Sequence, residues 1–319
     1  METVMAVSAL SCLSQAEVKR RLNNDLPKVV QELAGSCLED EPFAHINPAP
    51  IPTQQAAIKI LDLARRIIFP GYFDTIRLDT FNLEYRLGQD VTTLFQMLAE
   101  QISVAIRHDC IRYQQACTNC DEQGGTAALE VIRRLPLLRQ KLTGDVRAAY
   151  EGDPASGSYD EIIFCYPGLH AILIYRLAHI LYHLNVPLLP RIMTEYAHSL
   201  TGIDIHPGAH IGNNIFIEHG TGVVIGQTSK IGDRVRVYQG VTLGALSLPK
   251  EDVANLRSSK RHPTIEDDVV IYSGATILGG NTTVGARSVI GGNTWITESV
   301  PPDTRVLLNT PDQVYLGEE

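Results

Sequence analysis

The chain has 319 residues, of which 44% are apolar and 20% charged, with a formal net charge of −9. That length allows two domains with buried cores, and an acidic balance without a long Lys/Arg run excludes the nucleic-acid-binding classes, which need clustered cations against phosphate. The most apolar stretch, 164–190, is broken by Arg176 and several histidines and falls short of the roughly 18–20 unbroken apolar residues of a membrane span.

The chain opens METVMAVSALSCLSQAEVKRR, with its cations after a short apolar stretch, the reverse of a secretory signal, so a cytoplasmic location is expected. Residues 1–52 read as a helical arm closed by the Pro-rich linker EPFAHINPAPIP, Glu41 to Pro52. Residues 53–202 read as a helical domain. Val91, Leu94, Phe95, Leu98, Ile102, Ala105 and Ile106 follow the i, i+3, i+4, i+7 template of one buried helix face. Similar stripes cover Ile58 to Ile68 and Leu129 to Tyr150, where Pro136 is expected to end or kink the helix. The six cysteines are expected to be reduced. Cys117 and Cys120 form a lone CxxC with His108 and Cys110 just upstream, a set compatible with zinc, against the simpler reading of buried or redox-labile thiols. His170, His179, His183 and His198 read as helix-face packing residues.

From Ile203 the period changes. Ile205, Ile211 and Ile217 are six apart, as are Ile225, Ile231, Val237 and Leu243, then Ile265, Ile271 and Ile277, then Val284, Ile290 and Ile296. A helix of 3.6 residues per turn would scatter a period of six around its surface. A parallel β-helix uses it: one hexad makes one flat side, three make a coil, and each apolar residue stacks on its counterpart one coil along. A sandwich of short strands would show period-two alternation and hairpin turns instead. The β-helix is therefore assigned to 203–300, with 301–319 as a C-terminal tail. His206 and His210 read as residues of the coil surface.

Two breaks interrupt the hexads. Two residues are added between Ile217 and Ile225, around Glu218-His219-Gly220-Thr221-Gly222, and the excursion GALSLPKEDVANLRSSKRHPT runs over 244–264. Long loops on rigid scaffolds tend to carry function. A prism of hexads has flat sides and no cleft, so a pocket must come from such excursions or from grooves between prisms, which threefold association would supply.

IDIHPGAHIG, EHGTGVVIGQT, VTLGA, the KRHP at Lys260 to Pro263, and upstream GDPASGSYD with YPGLHAILIYRLAH together resemble serine O-acetyltransferase of the hexapeptide acyltransferase superfamily, over roughly Asp145 to Pro311. The resemblance implies an all-helical domain followed by a left-handed parallel β-helix, an α+β chain that departs from the right-handed crossover rule. It implies transfer of acetyl from acetyl-CoA to the L-serine hydroxyl, the first step towards cysteine, without a required metal. It also implies feedback inhibition by L-cysteine and a homotrimer or dimer of trimers. By motif position, His219 would be the general base and Asp204 its partner. Asp153 and Glu218 would hold the serine ammonium, and Arg261 and His262 would face its carboxylate and the reacting centre. Gly244 and Ala245 would meet the thioester through backbone amides, and Ser273 and Gly274 would lie on the CoA groove.

The residue types suit that chemistry. A serine hydroxyl needs a positioned imidazole to take its proton as it attacks a thioester, a carboxylate fixes the imidazole tautomer, and Gly-rich turns offer N–H donors to an oxyanion. Recognition of a free amino acid needs both signs of charge, the Arg acting as a bidentate clamp. Three positions depart from the family pattern: Gln227 for Glu, Glu218 for Asp, and Val289 where a CoA-contacting Lys is expected. Two rivals are a hexapeptide acyltransferase with a sugar or other acceptor, which has no need of Asp153, Arg261 and His262, and a β-helical zinc carbonic anhydrase, whose three-His set His206, His210 and His262 do not match. Many family members end in a tail with a terminal isoleucine that enters O-acetylserine sulfhydrylase. This chain ends Tyr315-Leu316-Gly317-Glu318-Glu319, a carboxylate cluster expected to form no tight complex there.

Overall fold

The computed structural model describes residues 15–38, 50–74, 76–116, 118–246 and 259–309. The chain divides into two compact units, Met1–Ala49 and Pro50–Glu319. In the first, helix α1 (Gln15–Leu38) carries Val18, Leu22, Leu26, Val29 and Leu33 at helical spacing on one face, all exposed.

The second unit begins with α2 (Gln54–Ile68), whose first turn is capped by the Thr53 hydroxyl accepting from Ala56 N–H at 3.1 Å. Then follow α3 (Leu83–Arg112), α4 (Cys120–Gly152), α5 (Tyr159–Cys165), α6 (Pro167–His183) and α7 (Leu189–Thr201). The stripe read from sequence is the buried face of α3, where Leu94, Leu98, Ile102 and Ala105 are buried and Val91, Phe95 and Ile106 are half-buried against them. Of the two outcomes expected at Pro136, an end to the helix is excluded: α4 runs through it for 33 residues. A mid-helix Pro costs about 3 kcal/mol, and burial of Leu135, Leu138 and Leu142 around it outweighs that. Cys120 is disulfide-bonded rather than a free thiol, which removes it from any zinc set with His108 and Cys110. Among the described residues no single helix is long and apolar enough to cross a membrane, and most of α6, the most apolar, is buried.

Gly202 closes α7 in the left-handed conformation, φ 70°, and turns the chain into the first strand. The strands are β1 (Asp204–Ile205), β2 (His210–Ile211), β3 (Phe216–Ile217), β4 (Val224–Ile225), β5 (Lys230–Ile231), β6 (Arg236–Val237), β7 (Thr242–Gly244), β8 (Thr264–Ile265), β9 (Val270–Ile271), β10 (Thr276–Leu278), β11 (Thr283–Val284), β12 (Val289–Ile290), β13 (Trp295–Ile296) and β14 (Arg305–Val306). They form three parallel sheets ordered β1-β4-β7-β10-β13, β2-β5-β8-β11 and β3-β6-β9-β12-β14, the three faces of a prism. Every apolar hexad position is buried, and the columns are in register: Ile205, Ile225, Leu243, Ile277, Ile296 on the first face, Ile211, Ile231, Ile265, Val284 on the second, Ile217, Val237, Ile271, Ile290 on the third. The rung β14 pairs with β12 and extends the prism into the segment read as tail.

Helices and prism share one hydrophobic core rather than two. Two buried polar clamps join them. The Tyr175 hydroxyl on α6 donates to the Ala209 carbonyl at 2.6 Å. Arg176 makes a two-pronged pair with Asp145 of α4 at 2.9 and 3.0 Å and donates to Gly212 C=O, while Ile215 N–H donates to Asp145. These bonds fix the first coil against α4 and α6 and so set where its corners face.

Candidate active site

The edge between the third and first faces carries the first break. Asp204 pairs with Val224 and Val224 with Thr242, so the first coil takes 20 residues and the second 18. The two added residues form a tight reversal centred on His219, which adopts φ 58°, with Gly220 N–H donating to the Glu218 carbonyl at 2.6 Å. The prism corners Asn214, Arg234, Asp268, Arg287 and Asn293 share this left-handed state, so the two-residue insertion rather than the φ sets the corner apart. Gly220 must be glycine: it has φ 82°, and a Cβ there would lie 2.4 Å from Ile203 Cδ1. The reversal leaves the His219 imidazole exposed.

Around it gather four acidic or phenolic groups. Asp153 lies at the C-terminal cap of α4, where its Oδ2 accepts from the Tyr166 hydroxyl at 2.6 Å and its Oδ1 from Ala155 N–H at 2.8 Å. The Tyr166 bond foremost, then the Ala155 amide, hold the Asp153 carboxyl below its usual range, and His219 and Arg236 add to this. The Tyr166 phenol is pushed up by burial first, then by Asp153, Glu161 and Glu218. Glu218 Oε2 is buried without a hydrogen-bond partner. One coil along, burial pushes the Tyr238 phenol up, Arg236 opposes and Glu218 reinforces, and its ring stacks on Tyr272 at 5.0 Å. Ser273 and Gly274 follow on this same edge, Gly274 donating to the Gln239 carbonyl at 2.9 Å. Asp204 heads β1, and its N–H donates to Val223 at the end of the His219 corner. Among the described residues no hydrogen bond joins its carboxylate to the His219 ring, a contact that unliganded sites often leave long until substrate binds.

The edge between the first and second faces carries the other group. Arg261 and His262 end the excursion, whose residues 247–258 lie outside the described residues, and fold back onto Gly226-Gln227-Thr228. Arg261 and His262 N–H donate to Thr228 Oγ1 at 2.9 and 3.0 Å, so that hydroxyl directs its own proton to His262 Nδ1, 2.9 Å away. Thr228 N–H also donates to Nδ1. With Nδ1 thus an acceptor, the neutral ring carries its proton on Nε2. Burial, then Arg261 and Lys260, push His262 down to about 4, so it stands near neutral pH as an uncharged Nε2–H donor. The ring lies flat on Gly226, where a Cβ would come within 2.0 Å of it. The Gln227 amide donates to Tyr182 at 2.8 Å and accepts from the Arg261 guanidinium, two opposite roles that Glu in its place could not fill while ionised. Gly244 and Ala245 lie one coil further on this edge, and Gly279 N–H donates to the Gly244 carbonyl at 3.1 Å.

The sequence-derived set is therefore divided within one chain. His219, Asp153, Glu218, Ser273 and Gly274 lie on one edge, Asp204 heads the first face, and Arg261, His262, Gly244 and Ala245 lie on the other edge. Tyr166, Thr228, Tyr182 and Tyr238 escaped the sequence reading. Tyr166 stood within a quoted motif, but a phenol bound to a carboxylate thirteen residues away leaves no periodic signal. His206 is half-buried against Tyr182, with burial pushing it down to about 4, rather than a bare coil-surface residue.

No family model matches the chain. The plasmid serine acetyltransferase of Synechococcus elongatus is 48% identical to it over 256 residues, 79% of this chain and 80% of the relative. The chain belongs to the serine acetyltransferase family. The serine acetyltransferase of Mycobacterium tuberculosis is 47% identical over 173 residues, 54% of this chain and 71% of its own. Among solved structures, serine acetyltransferase isoform 3 of Entamoeba histolytica in complex with cysteine superposes with a TM-score of 0.69 at 36% identity, over 92% of this chain and 96% of that one. The helical region followed by a left-handed parallel β-helix is the fold of this family.

Proposed function

We propose that the chain transfers the acetyl group of acetyl-CoA to the hydroxyl of L-serine, with His219 as general base. His219 takes the serine hydroxyl proton as the oxygen attacks the thioester carbonyl. The tetrahedral adduct collapses with the C–S bond breaking, and the imidazolium returns the proton to the CoA thiolate, giving O-acetyl-L-serine and CoA. Asp204 orients the imidazole and stabilises its charged form. Glu218 and Asp153 take the serine ammonium, and Arg261 its carboxylate. His262 donates its Nε2–H near the reacting centre as a neutral group. Backbone amides at Gly244 and Ala245 face the developing oxyanion, and Ser273 and Gly274 line the CoA path, with Val289 supplying no cation to its phosphates. The observation that carries this reading is the Glu218-His219 corner: a two-residue insertion that exposes an imidazole beside a buried carboxylate oxygen lacking a partner.

Because base and Arg261 lie on different edges, a complete site joins the first edge of one chain to the second edge of another, which supports a trimer. L-cysteine, bound by the Entamoeba relatives, differs from serine only by sulfur for oxygen and is read here as an inhibitor competing with serine. CoA release from acetyl-CoA tests the substrate: L-serine is expected to support turnover, L-threonine far less because its methyl crowds the attacking oxygen, and a hexosamine none. Turnover with the hexosamine but not serine would overturn the assignment.

A further inference from the structure

A second constellation lies where α6 meets the prism. His179 and His183 stand one helical turn apart on α6, and His210 reaches them from β2. Their ligand atoms all lie within 4.8 Å of one another. Ring centres are 4.3 Å apart for His179–His183, 5.4 Å for His179–His210 and 5.3 Å for His183–His210. A tetrahedral ion with Zn–N bonds of about 2.0–2.1 Å sets its imidazole centres about 5 Å apart, so two of the three pairs already have that spacing. His179 Nδ1 is 2.8 Å from the Pro207 carbonyl, which can only accept. That bond fixes the proton on Nδ1 and leaves Nε2 as a free lone pair, the orientation that a carbonyl behind a metal-bound His imposes.

We propose that His179, His183 and His210 form a three-imidazole site for a divalent transition-metal cation of the zinc class, tying the end of α6 to the first coil of the prism. Three neutral nitrogens and no thiolate or carboxylate suit zinc, copper or nickel rather than calcium or magnesium. His183 is the last residue of α6, where the negative end of the helix dipole favours a cation. Burial foremost pushes His179 down to about 4, against the Pro207 bond that raises it, and burial also lowers His210, so neither need shed a proton at pH 7. Lys141 and Lys230 lower the same imidazoles further, and as nearby cations they limit the affinity for a metal ion. His183 and His210 are exposed and His179 is half-buried, so the fourth position faces solvent. The site is separate from the acetyl-transfer chemistry. It lies next to Tyr182, whose hydroxyl accepts from Gln227, itself bonded to Arg261.

The test uses the full chain, stripped with a chelator and titrated with Zn²⁺ by calorimetry and by thermal melting. Wild type is expected to bind one Zn²⁺ per chain at micromolar affinity or tighter, on the order of structural imidazole sites weakened by nearby cations, with a rise in Tm. His183→Gln and His210→Gln, both at exposed positions, are each expected to weaken binding by about tenfold or more, and together to abolish the Tm rise. Each apo variant should keep the apo wild-type Tm. Co²⁺ in place of Zn²⁺ should give the visible absorption of a tetrahedral site in wild type only. Zn²⁺ binding that survives the double substitution, or that is lost in Cys110→Ser with all three histidines intact, would overturn the assignment, as would no binding at all.

Discussion

The two working edges of the prism are built from the same hexads and hold opposite chemistry. The edge at His219 gathers Asp153, Glu218 and two phenols around an exposed imidazole. The edge at His262 gathers Arg261, Lys260 and a neutral imidazole locked by Thr228. Each departs from the repeat in its own way, one by two inserted residues around His219, the other by a long excursion folding back onto Gly226. A free amino acid carries both charges, so neither edge alone can hold it. A rigid prism keeps its edges apart, so under the function proposed above activity would require two chains to meet.

Substitution at the base should cost the most activity. His219→Ala should lower kcat by about two to four orders of magnitude with an unchanged melting curve, because an exposed imidazole contributes chemistry rather than packing. Asp204→Asn should lower it less. Near-normal turnover in His219→Ala would make the corner structural.

Mixing chains sharpens the comparison further. Arg261→Lys keeps the charge but loses the two-pronged fork, and should raise the serine KM about tenfold or more while kcat changes less. Arg261→Ala and His219→Ala chains, each nearly inactive alone, should regain activity when unfolded and refolded together, with intact edges meeting at about a quarter of the interfaces of a random trimer. Recovery absent from a mixture proven to co-assemble would place both edges in one chain's site.

The smallest effect is on stability, and the edges should respond to acid in separate windows. Burial holds His262 and His206 at about 4 in the fold, against an ordinary 6.5, so the unfolded chain binds more protons between those values. Stability is then constant above pH 6.5 and falls as pH drops towards 4, with His179 contributing in the same direction. Asp153, held below its ordinary 3.8, loses its contribution only at lower pH. Thermal melts from pH 7 to 4 should show Tm declining, less steeply in a His206→Gln, His262→Gln double variant. An unchanged slope there would assign the acid sensitivity elsewhere.

The six-residue period was legible because each apolar position in a coil faces the same axis, so Ile205 to Ile296 could be sorted into rungs without coordinates. His219 and the excursion stood out as breaks in that rhythm, and the quoted motifs supplied the rest of the candidate set. Pro136 does not end α4, because local propensity was outweighed by the buried leucines on either side of it. The period could not place Asp153 beside Tyr166, since that bond depends on how α4 and α6 dock on the first coil.

By itself, then, the sequence determined the prism, its registers and the residues that depart from them, because a repeating backbone turns local identity directly into position. Only the tertiary structure decided which departures share an edge, that helices and prism have a single core, and that Thr228 sets the His262 tautomer. It also brought His179 and His183 of a helix to His210 of a strand. Those outcomes rest on contacts between segments far apart in the chain, whose geometry is fixed by close packing and by the buried Arg176–Asp145 clamp, and no spacing along the chain encodes it.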